Sequence, residues 1–335
     1  MDLTILSWNM NYWKNTHIYQ VNKEKYNPYY KNNDEEVVQW KRNISNYLKK
    51  FDDVDIFLLQ EIKYFSELPQ NYLAIYHELS EELSDISDPW GSIILTKHPY
   101  AYVKPNFYNS NLFYKDGFYY PCNESYVGSK YFGWPGLMCY DIKLLNGEFV
   151  TAINIYGKKD RNGYFNTTIH HMLSDLTSII NKRNDHVIIL GGDFNTSLQR
   201  FPNNKEDSHL VVSDNPLFDR IIDFGLENCT LKYFGKHIRT SFANYNPWQL
   251  DYIFVNNVCS NEYEIKVLNP ILLDHYKTGN LKIEDPELND KIHGLYENNG
   301  NLKDDISLAK EALKLSDHVP IKLKLRNLTK NIYHK

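Results

Sequence analysis

Polar residues end a short apolar run in the most distinctive segment of this 335-residue chain, VIILGGDFNTS. Four apolar residues lead through Gly191 and Gly192 to Asp193, Phe194 and Asn195. Along an extended chain Asp193 and Asn195 point the same way, so a carboxylate and an amide face one volume. The pair can orient a water and a phosphate or share a hard cation, and an Asx turn at a strand end explains it equally well.

Two further acids adjoin apolar runs. Glu61 follows DIFLLQ, and Asp251 lies between apolar residues in WQLDYIFV. A carboxylate in a buried strand is unfavourable unless it is paired or bound to a metal. A salt bridge at the rim is an equal alternative for Glu61, whereas the apolar neighbours of Asp251 make that explanation harder there.

The first and last apolar runs also have polar residues at their ends. Asn9 closes the first run, and Asp317 and His318 precede the last. Alone, each of these fits a turn at least as well as a site. Together with the acids above, they indicate that the polar ends of five predicted strands meet at one edge, where a carboxylate and an imidazole can serve one reaction centre. Because oxygen donors dominate, Mg²⁺ or Mn²⁺ is favoured over Zn²⁺.

The elements that must position these residues are mostly strands. Short runs rich in β-branched and aromatic residues predict strands at 3–8, 55–60, 92–96, 137–144, 149–156, 187–190, 252–255 and 319–325. Apolar residues at helical spacing predict helices over 37–48, 169–180 and 217–222, and a further one over 304–315. Several strands follow one another without a helix, which favours a mixed-sheet α/β sandwich with outer helices over a doubly wound parallel sheet.

We expect a single domain over residues 1–335, with insertions at 104–135 and 274–315 because these stretches lack clear periodicity. The first insertion is crowded with aromatic residues interleaved with lysines. These aromatic side chains could stack on nucleic-acid bases. Packing of a long loop against the sandwich is the slightly favoured interpretation.

Composition excludes several classes of protein. With 42% hydrophobic and 15% aromatic residues the chain can bury a large core, which excludes a disordered protein. Its net charge of −5 argues against a purely electrostatic nucleic-acid binder. The four cysteines form no C-x-x-C pair, and neither a signal peptide nor an 18-residue apolar run is visible, so we expect a cytoplasmic protein without a membrane span. Its oligomeric state stays open.

In their order, the motifs WN, LLQE, GGDFN, LDYIF and SDHVP resemble those of the endonuclease/exonuclease/phosphatase superfamily, the DNase I-like group. The resemblance covers residues 2–326 and is closest to exonuclease III-type members. It implies a four-layer α/β/β/α sandwich of two mixed β-sheets. It also implies a divalent-metal-dependent phosphodiesterase that hydrolyses its substrate by in-line attack of an activated water.

The resemblance assigns a metal site and a set of catalytic residues. Glu61 would be the principal ligand of Mg²⁺ or Mn²⁺, with Asn9 helping to place the ion and Asp317 beside it. The other catalytic positions would be Asp193 for the attacking water, Asn195 for the scissile phosphate, and His318, oriented by Asp251, for the charge that develops on that phosphate.

One position separates branches of the superfamily. Many members have a histidine where FVTAINIYG has Tyr156, and the N-x-Y pattern resembles exonuclease III-like enzymes. A half-buried strand tyrosine is the alternative. Trp248 resembles the tryptophan that AP endonucleases place at their sugar pocket, and Lys158 could meet a phosphate backbone. Asn11 and Gln249 stand where many AP endonucleases have an aspartate and an arginine, so specificity for abasic sites does not follow.

Three functions stay open at this stage. A nuclease acting on DNA or RNA is favoured by Tyr156. A phosphatase or phosphodiesterase acting on a small phosphorylated molecule or a lipid headgroup is favoured by the acidic net charge. A binding module that has lost catalysis is the third, and the complete set of polar residues argues against it.

Overall fold

Fourteen strands and five helices form the regular structure of the described residues. The chain is known from a computed structural model that describes residues 1–11, 35–62, 65, 67–78, 91–102, 112–115, 118–121, 136–157, 165–183, 186–197, 215–235, 237–242, 249–256, 263–269, 272–273, 302–326 and 328. The strands are β1 (Leu3–Asn9), β2 (Ile56–Ile62), β3 (Leu73–Glu78), β4 (Gly91–Thr96), β5 (Tyr100–Tyr102), β6 (Leu112–Lys115), β7 (Phe118–Pro121), β8 (Leu137–Lys143), β9 (Phe149–Tyr156), β10 (Val187–Asp193), β11 (Leu226–Asn228), β12 (Asp251–Asn256), β13 (Tyr263–Val267) and β14 (Ile321–Leu325). The helices are α1 (Glu35–Leu48), α2 (Phe165–Ile180), α3 (Asn215–Asp223), α4 (Cys229–Phe234) and α5 (Leu302–Leu315).

Two six-stranded sheets carry most of these strands. The first has the order β13-β14-β1-β2-β4-β3 and the second the order β11-β12-β10-β9-β8-β5. Each is mixed: β1 and β2 are parallel in the first sheet, β9 and β10 are parallel in the second, and the other pairs are antiparallel. This arrangement confirms the predicted pair of mixed sheets.

Helices cover the outer face of each sheet. On the first sheet, the ring of Trp8 in β1 packs at a tilt against Tyr47 of α1 with 4.9 Å between ring centres, and the Tyr47 hydroxyl donates to the Leu308 carbonyl of α5. On the second sheet, the apolar faces of α2 and α3 pack against outward side chains of β9, β10 and β12. The layers therefore follow the order helix, sheet, sheet, helix, as the sequence predicted.

Strand alternation determines which residues of the second sheet face the first. In β9, Ile153 and Ile155 pack under the helices, while Val150 and Ala152 enter the core between the sheets. The same alternation in β10 and β12 directs every second residue inwards, because successive side chains of a strand point to opposite faces. The inward rows end at Tyr156, Asp193 and Asp251, at one edge of the sandwich.

A polar contact joins the two sheets just inside that edge. The Gln60 amide of β2 donates to the Asn154 Oδ1 of β9 at 2.7 Å, and the Asn154 amide donates to the carbonyls of Leu59 and Ile93 at 3.0 and 3.2 Å. Because Gln60 and Asn154 are fully buried, these hydrogen bonds fix the alignment of the two sheets more strongly than a solvated pair would.

The structure differs from the predicted elements at several boundaries. β2 continues through Glu61 to Ile62 with a register shift, where the sequence suggested that the strand ends before Glu61. β10 extends through both glycines to Asp193. The sequence did not predict β3, β5, β11 and β13, which lie at sheet edges, or β6 and β7, which form a separate hairpin, because such strands have little periodicity.

The two predicted insertions are described only in part. Within 104–135 the residues 112–115 and 118–121 form an antiparallel hairpin, β6 with β7, and the remainder lies outside the described residues. Within 274–315 the described part is α5, which confirms the helix predicted at 304–315. Whether the whole chain is one domain stays a prediction.

Candidate active site

Three strands of the second sheet bring their inward polar residues into one row. Asp193 is the register partner of Tyr156 across the parallel β9–β10 pair and of Asp251 across the antiparallel β10–β12 pair. Asp193 and Asp251 are fully buried. The register alone therefore sets a hydroxyl and two carboxylates side by side.

Two glycines make this row possible. Gly192 has φ +142°, and a Cβ there would lie 1.8 Å from the Ile155 carbonyl oxygen. A Cβ on Gly157 would lie 2.3 Å from the Phe194 carbonyl oxygen. Because the chain passes so close to itself at both positions, only glycine lets β9 and β10 end together at Asp193.

Asn9 connects the first sheet to this row. Its amide nitrogen donates to Glu61 Oε1 at 3.0 Å and to Asp193 Oδ2 at 2.8 Å, while its oxygen accepts from the backbone N–H of Asn11 at 2.8 Å. The Asn11 contact fixes which end of the amide faces the acids. Asn9 thus holds two carboxylates from different sheets at one point.

Asp193 and Asn195 form an Asx turn as well as a site. Asp193 Oδ1 accepts from the Asn195 N–H at 2.7 Å, and Oδ2 accepts from the Asn195 side chain at 3.0 Å. The Asn195 amide also donates to the Gly157 carbonyl at 2.9 Å. The Asx-turn interpretation of GDFN is therefore confirmed, and a role of the pair at a reaction centre stays a prediction.

The residues with a left-handed backbone gather here too. Among described residues other than glycine, positive φ occurs at Asn11 (46°), Glu61 (47°) and Asn195 (48°). Each adjoins Asn9, Tyr156 or Asp193 through a hydrogen bond. Such conformations are unfavourable for residues with a Cβ and concentrate at functional sites, where the surrounding structure enforces them.

His318 is held against Asp251. Its Nδ1 lies 2.8 Å from Asp251 Oδ2, and its backbone N–H donates to Ser316 Oγ at 3.1 Å. The Trp8 indole donates to the His318 carbonyl at 2.9 Å. Asp251 Oδ1 has no hydrogen-bond partner within the described part of the chain, although it is buried. This arrangement fixes the imidazole and leaves one buried carboxylate oxygen uncompensated.

Asp317 completes the set on the side of the first sheet. Its Oδ1 accepts from the Asn11 side chain, and its carbonyl accepts from the Phe242 N–H at 2.7 Å. Asn11 was noted in the sequence only as a departure from AP endonucleases. In the structure it links Asp317 to Asn9. We call Asn9, Glu61, Tyr156, Asp193, Asn195, Asp251, Asp317 and His318 the polar cluster.

Negative charge is crowded in the polar cluster. Burial raises the pKa of Glu61, and Asp317 raises it further. Burial, Asp251 and Glu61 raise the pKa of Asp193, against the lowering effect of His318. Burial would lower the pKa of His318, but Asp251 and Asp193 outweigh it and raise that pKa, so the imidazole is protonated. Four carboxylates thus face one cationic side chain.

These residues fit a hard divalent cation. Oxygen donors are what Mg²⁺ and Mn²⁺ prefer, and a cation would offset the burial, and the smaller repulsion between acids, that raise the pKa of Glu61 and Asp193. Ligand atoms of Asp193, Asp251 and His318 also lie within 4.8 Å of one another. On the side of the first sheet, Glu61 and Asp317 offer further carboxylate oxygens to such a cation.

Tyr156 lies between the two sheets at this edge. Its hydroxyl makes hydrogen bonds with Glu61 and Asn195. Burial raises its pKa well above the usual value, and the charges of Glu61 and Asp193 add to this effect. The hydroxyl is therefore a donor and cannot serve as a base.

Some predicted residues are not located, and others were missed. Trp248 and Lys158 lie outside the described residues. Gln249 is buried, donates to the Asp251 carbonyl at 3.3 Å and accepts from the Ile238 N–H at 3.0 Å. Thr240, which accepts from the Asp251 N–H at 3.1 Å, was not predicted, since a threonine 11 residues away gives no local signal.

Comparison with known proteins agrees with this architecture. An AP endonuclease from Archaeoglobus fulgidus superposes with a TM-score of 0.52 at 13% identity, covering 97% of this chain and 100% of its own. A 3′–5′ exonuclease from Neisseria meningitidis gives 0.52 at 12% identity, covering 96% and 99%. At such low identity the likeness establishes the DNase I-like fold alone. No curated protein sequence matches the chain.

No helix in the described ranges is long and apolar enough to cross a membrane.

The sequence itself matches a family model. The model of the Endonuclease/Exonuclease/phosphatase family matches residues 6–318, which include every member of the polar cluster. The chain therefore belongs to the endonuclease/exonuclease/phosphatase family.

Proposed function

We propose that this protein is a divalent-metal-dependent phosphodiesterase that cleaves DNA or RNA. The observation that carries the proposal is the polar cluster, in which the buried Asp193 and the partly buried Glu61 and Asp317 surround one Asp251–His318 pair. A purely structural edge would pair each acid with a cation. Here four carboxylates adjoin one imidazole, and a bound divalent cation would offset the burial and repulsion that raise the pKa of Glu61 and Asp193.

The chain's own groups suit the attack of water on phosphorus. Asp193, whose pKa is raised by burial, can accept the proton of the attacking water. Protonated His318 and the Asn195 amide can donate to phosphate oxygens as negative charge builds on them. The Tyr156 hydroxyl can donate to a phosphate or leaving oxygen, as its raised pKa keeps it protonated.

Glu61 and Asp317 would hold Mg²⁺ or Mn²⁺, and Asn9 would keep Glu61 in position. When bound, the ion would supply a Lewis acid that stabilises charge on the phosphate. Asp251 restricts the orientation of the imidazole through its 2.8 Å contact with Nδ1.

A nucleic acid is the substrate we favour. The names of two solved structures with this fold, an AP endonuclease and a 3′–5′ exonuclease, are in keeping with it, and so is Tyr156 in an N-x-Y pattern. A small phosphorylated molecule or lipid headgroup is the second candidate, because the net charge is −5 and the cluster is acidic.

A substrate panel tests the proposal. Plasmid, single-stranded DNA, RNA, abasic duplex, phosphoinositides and a generic phosphodiester are each incubated with Mg²⁺, Mn²⁺ or EDTA. We expect cleavage of a nucleic acid with metal and none in EDTA. Asp193→Asn should abolish it, and Asp141→Asn, a matched loss of a half-buried acid at the other end of the second sheet, should not. Full activity in EDTA, or equal loss in both variants, would refute the mechanism.

A further inference from the structure

The segment 238–242 lies against the polar cluster without belonging to it. The Phe242 N–H donates to the Asp317 carbonyl at 2.7 Å, and Ser241 pairs with His318 in an isolated bridge. On its other side Thr240 Oγ1 accepts from the N–H of Asp251 at 3.1 Å. The segment therefore spans from the last strand of the first sheet to β12 of the second, beside the proposed reaction centre.

One cation is fixed on this segment. The Arg239 Nε donates to the Ser241 carbonyl at 3.0 Å, and the guanidinium carbon lies 4.0 Å from the centre of the Phe242 ring. Stacking and a hydrogen bond together hold the guanidinium plane, at little further cost in side-chain entropy on binding. The Phe242 N–H is bonded to the Asp317 carbonyl, so the charge has a defined position on a segment whose backbone contacts the cluster.

The outer end of this guanidinium has unused donors. Within the described part of the chain neither terminal nitrogen of Arg239 has a hydrogen bond or an ion pair. The other stacked arginine, Arg220 over Phe224, instead donates to the His170 carbonyl and to Ser174 Oγ. Arg183 is bound by Asp141. Arg239 is thus arranged like a recognition group, whereas Arg220 and Arg183 hold elements together.

We propose that Arg239, stacked on Phe242, binds a phosphate of the substrate adjacent to the one that is cleaved. A planar fork of N–H donors matches two oxygens of a phosphodiester. An anion that approaches a cluster of four carboxylates also needs a positive charge outside it, and Arg239 supplies one. The site therefore selects ligands with more than one phosphate, such as a nucleic-acid strand. This inference rests on the proposed function and narrows its substrate class.

The test compares two substrates on matched variants. An oligonucleotide has phosphates on both sides of the scissile bond, and bis(p-nitrophenyl) phosphate has only one. For Arg239→Ala we expect KM for the oligonucleotide to rise about tenfold with kcat nearly unchanged, and the salt dependence of log kcat/KM to fall by about one unit of slope. Hydrolysis of the small diester should be unaffected. Arg239→Lys should recover part of the loss, since it keeps the charge without the fork.

Arg220→Ala is the control, because it removes an equal charge that also lies over a phenylalanine ring, 5.7 Å from the centre of Phe224, on the helices that cover the second sheet. Equal effects of the two alanine variants on the oligonucleotide, or equal loss of both substrates in Arg239→Ala, would overturn the inference. Binding of a labelled oligonucleotide in EDTA, followed by anisotropy, is measured as well. If wild type cleaves nothing, the proposed function fails, but a binding loss of about tenfold confined to Arg239→Ala would still support the phosphate site. Unchanged binding would reject it.

Discussion

Two aspartate–histidine pairs occupy opposite ends and opposite faces of the second sheet. Asp251 meets His318 at 2.8 Å in the polar cluster, and Asp141 meets His186 at 3.5 Å under the C-terminal end of α2. Judged by the distance between carboxylate and imidazole alone, the two pairs are of the same type. They differ in what else surrounds the aspartate.

Asp141 has every partner it needs. Arg183 donates to both of its oxygens and Thr151 donates at 2.7 Å. Burial would raise the pKa of Asp141, but hydrogen bonds from His186, Arg183 and Thr151 outweigh it and lower the pKa. In the polar cluster acids neighbour acids, and burial keeps the pKa of Asp193 raised. The two aspartates are thus distinguished by their other neighbours, an arginine beside Asp141 and further acids beside Asp251, more than by the histidine that each contacts.

The largest expected effect is on the Asp251–His318 pair. His318→Ala and Asp251→Asn should each lower kcat/KM by about 10²–10⁴-fold, because the imidazole donor or its orientation is lost. The double variant should be no worse than the poorer single one, since the pair acts as a unit. His186→Ala should leave kcat/KM unchanged. Additive losses in the double variant would show that Asp251 and His318 do not act as a unit. A comparable loss in His186→Ala would show that the Asp141–His186 pair affects turnover as much as the Asp251–His318 pair does.

The gain in stability on metal binding should distinguish the polar cluster from the Asp141 end of the second sheet. Saturating Mg²⁺ at about 100 times its Kd should add about 2.7 kcal/mol to the free energy of unfolding of the wild type. Glu61→Gln should remove most of this gain, and Asp141→Asn should retain it. Calorimetric melting with Mg²⁺ and with EDTA measures the gain. An equal gain in Glu61→Gln would remove Glu61 from the metal site.

Asp141→Asn should cost about 1–3 kcal/mol of stability at pH 7, because charge-assisted hydrogen bonds are lost. The folded pKa of Asp141 lies below its unfolded value, so its contribution is full above the unfolded pKa of about 3.9 and is lost as pH falls through the folded pKa. Denaturant unfolding of both proteins from pH 7 to pH 3 should show the difference shrinking only at the acid end. A difference that grows on acidification would contradict the assignment.

The smallest effect is expected at Tyr156. Tyr156→Phe removes a hydroxyl that contacts Glu61 and Asn195 and keeps the ring. Turnover should fall about tenfold, equal to about 1.4 kcal/mol, with little change in melting temperature. Wild-type turnover would show that the hydroxyl only packs against the cluster.

Local pattern was enough for the strands that end in the polar cluster and for the type of their terminal residues. The apolar runs before Asn9, Glu61 and Asp193 are interior strands, and interior strands have the clearest pattern. What could not be predicted depends on contacts across the chain. Asn11 with Asp317 spans 306 residues, and Gln60 with Asn154 joins different sheets.

Arg239 gave no signal either, because an arginine in HIRTSF resembles any solvated turn residue. Its stack on Phe242 depends on how the segment 238–242 runs between two sheets. The net charge of −5 is a sum over the whole sequence, and it does not reveal that one arginine is held on a segment beside the acids. Single-sequence reasoning thus located the reacting groups better than the groups that would select a substrate.

The left-handed backbone at Asn11, Glu61 and Asn195 has a consequence for any attempt to evolve this protein. Glycine at these positions would relieve about 1 kcal/mol or more of strain each, with the greatest relief at Glu61 because asparagine tolerates this conformation better. A library selected only for heat resistance would therefore enrich Glu61→Gly, which also removes a partly buried acid. The selected variants would gain thermal stability and lose catalytic activity at the same time. Selection for stability therefore has to be combined with selection for turnover in every round.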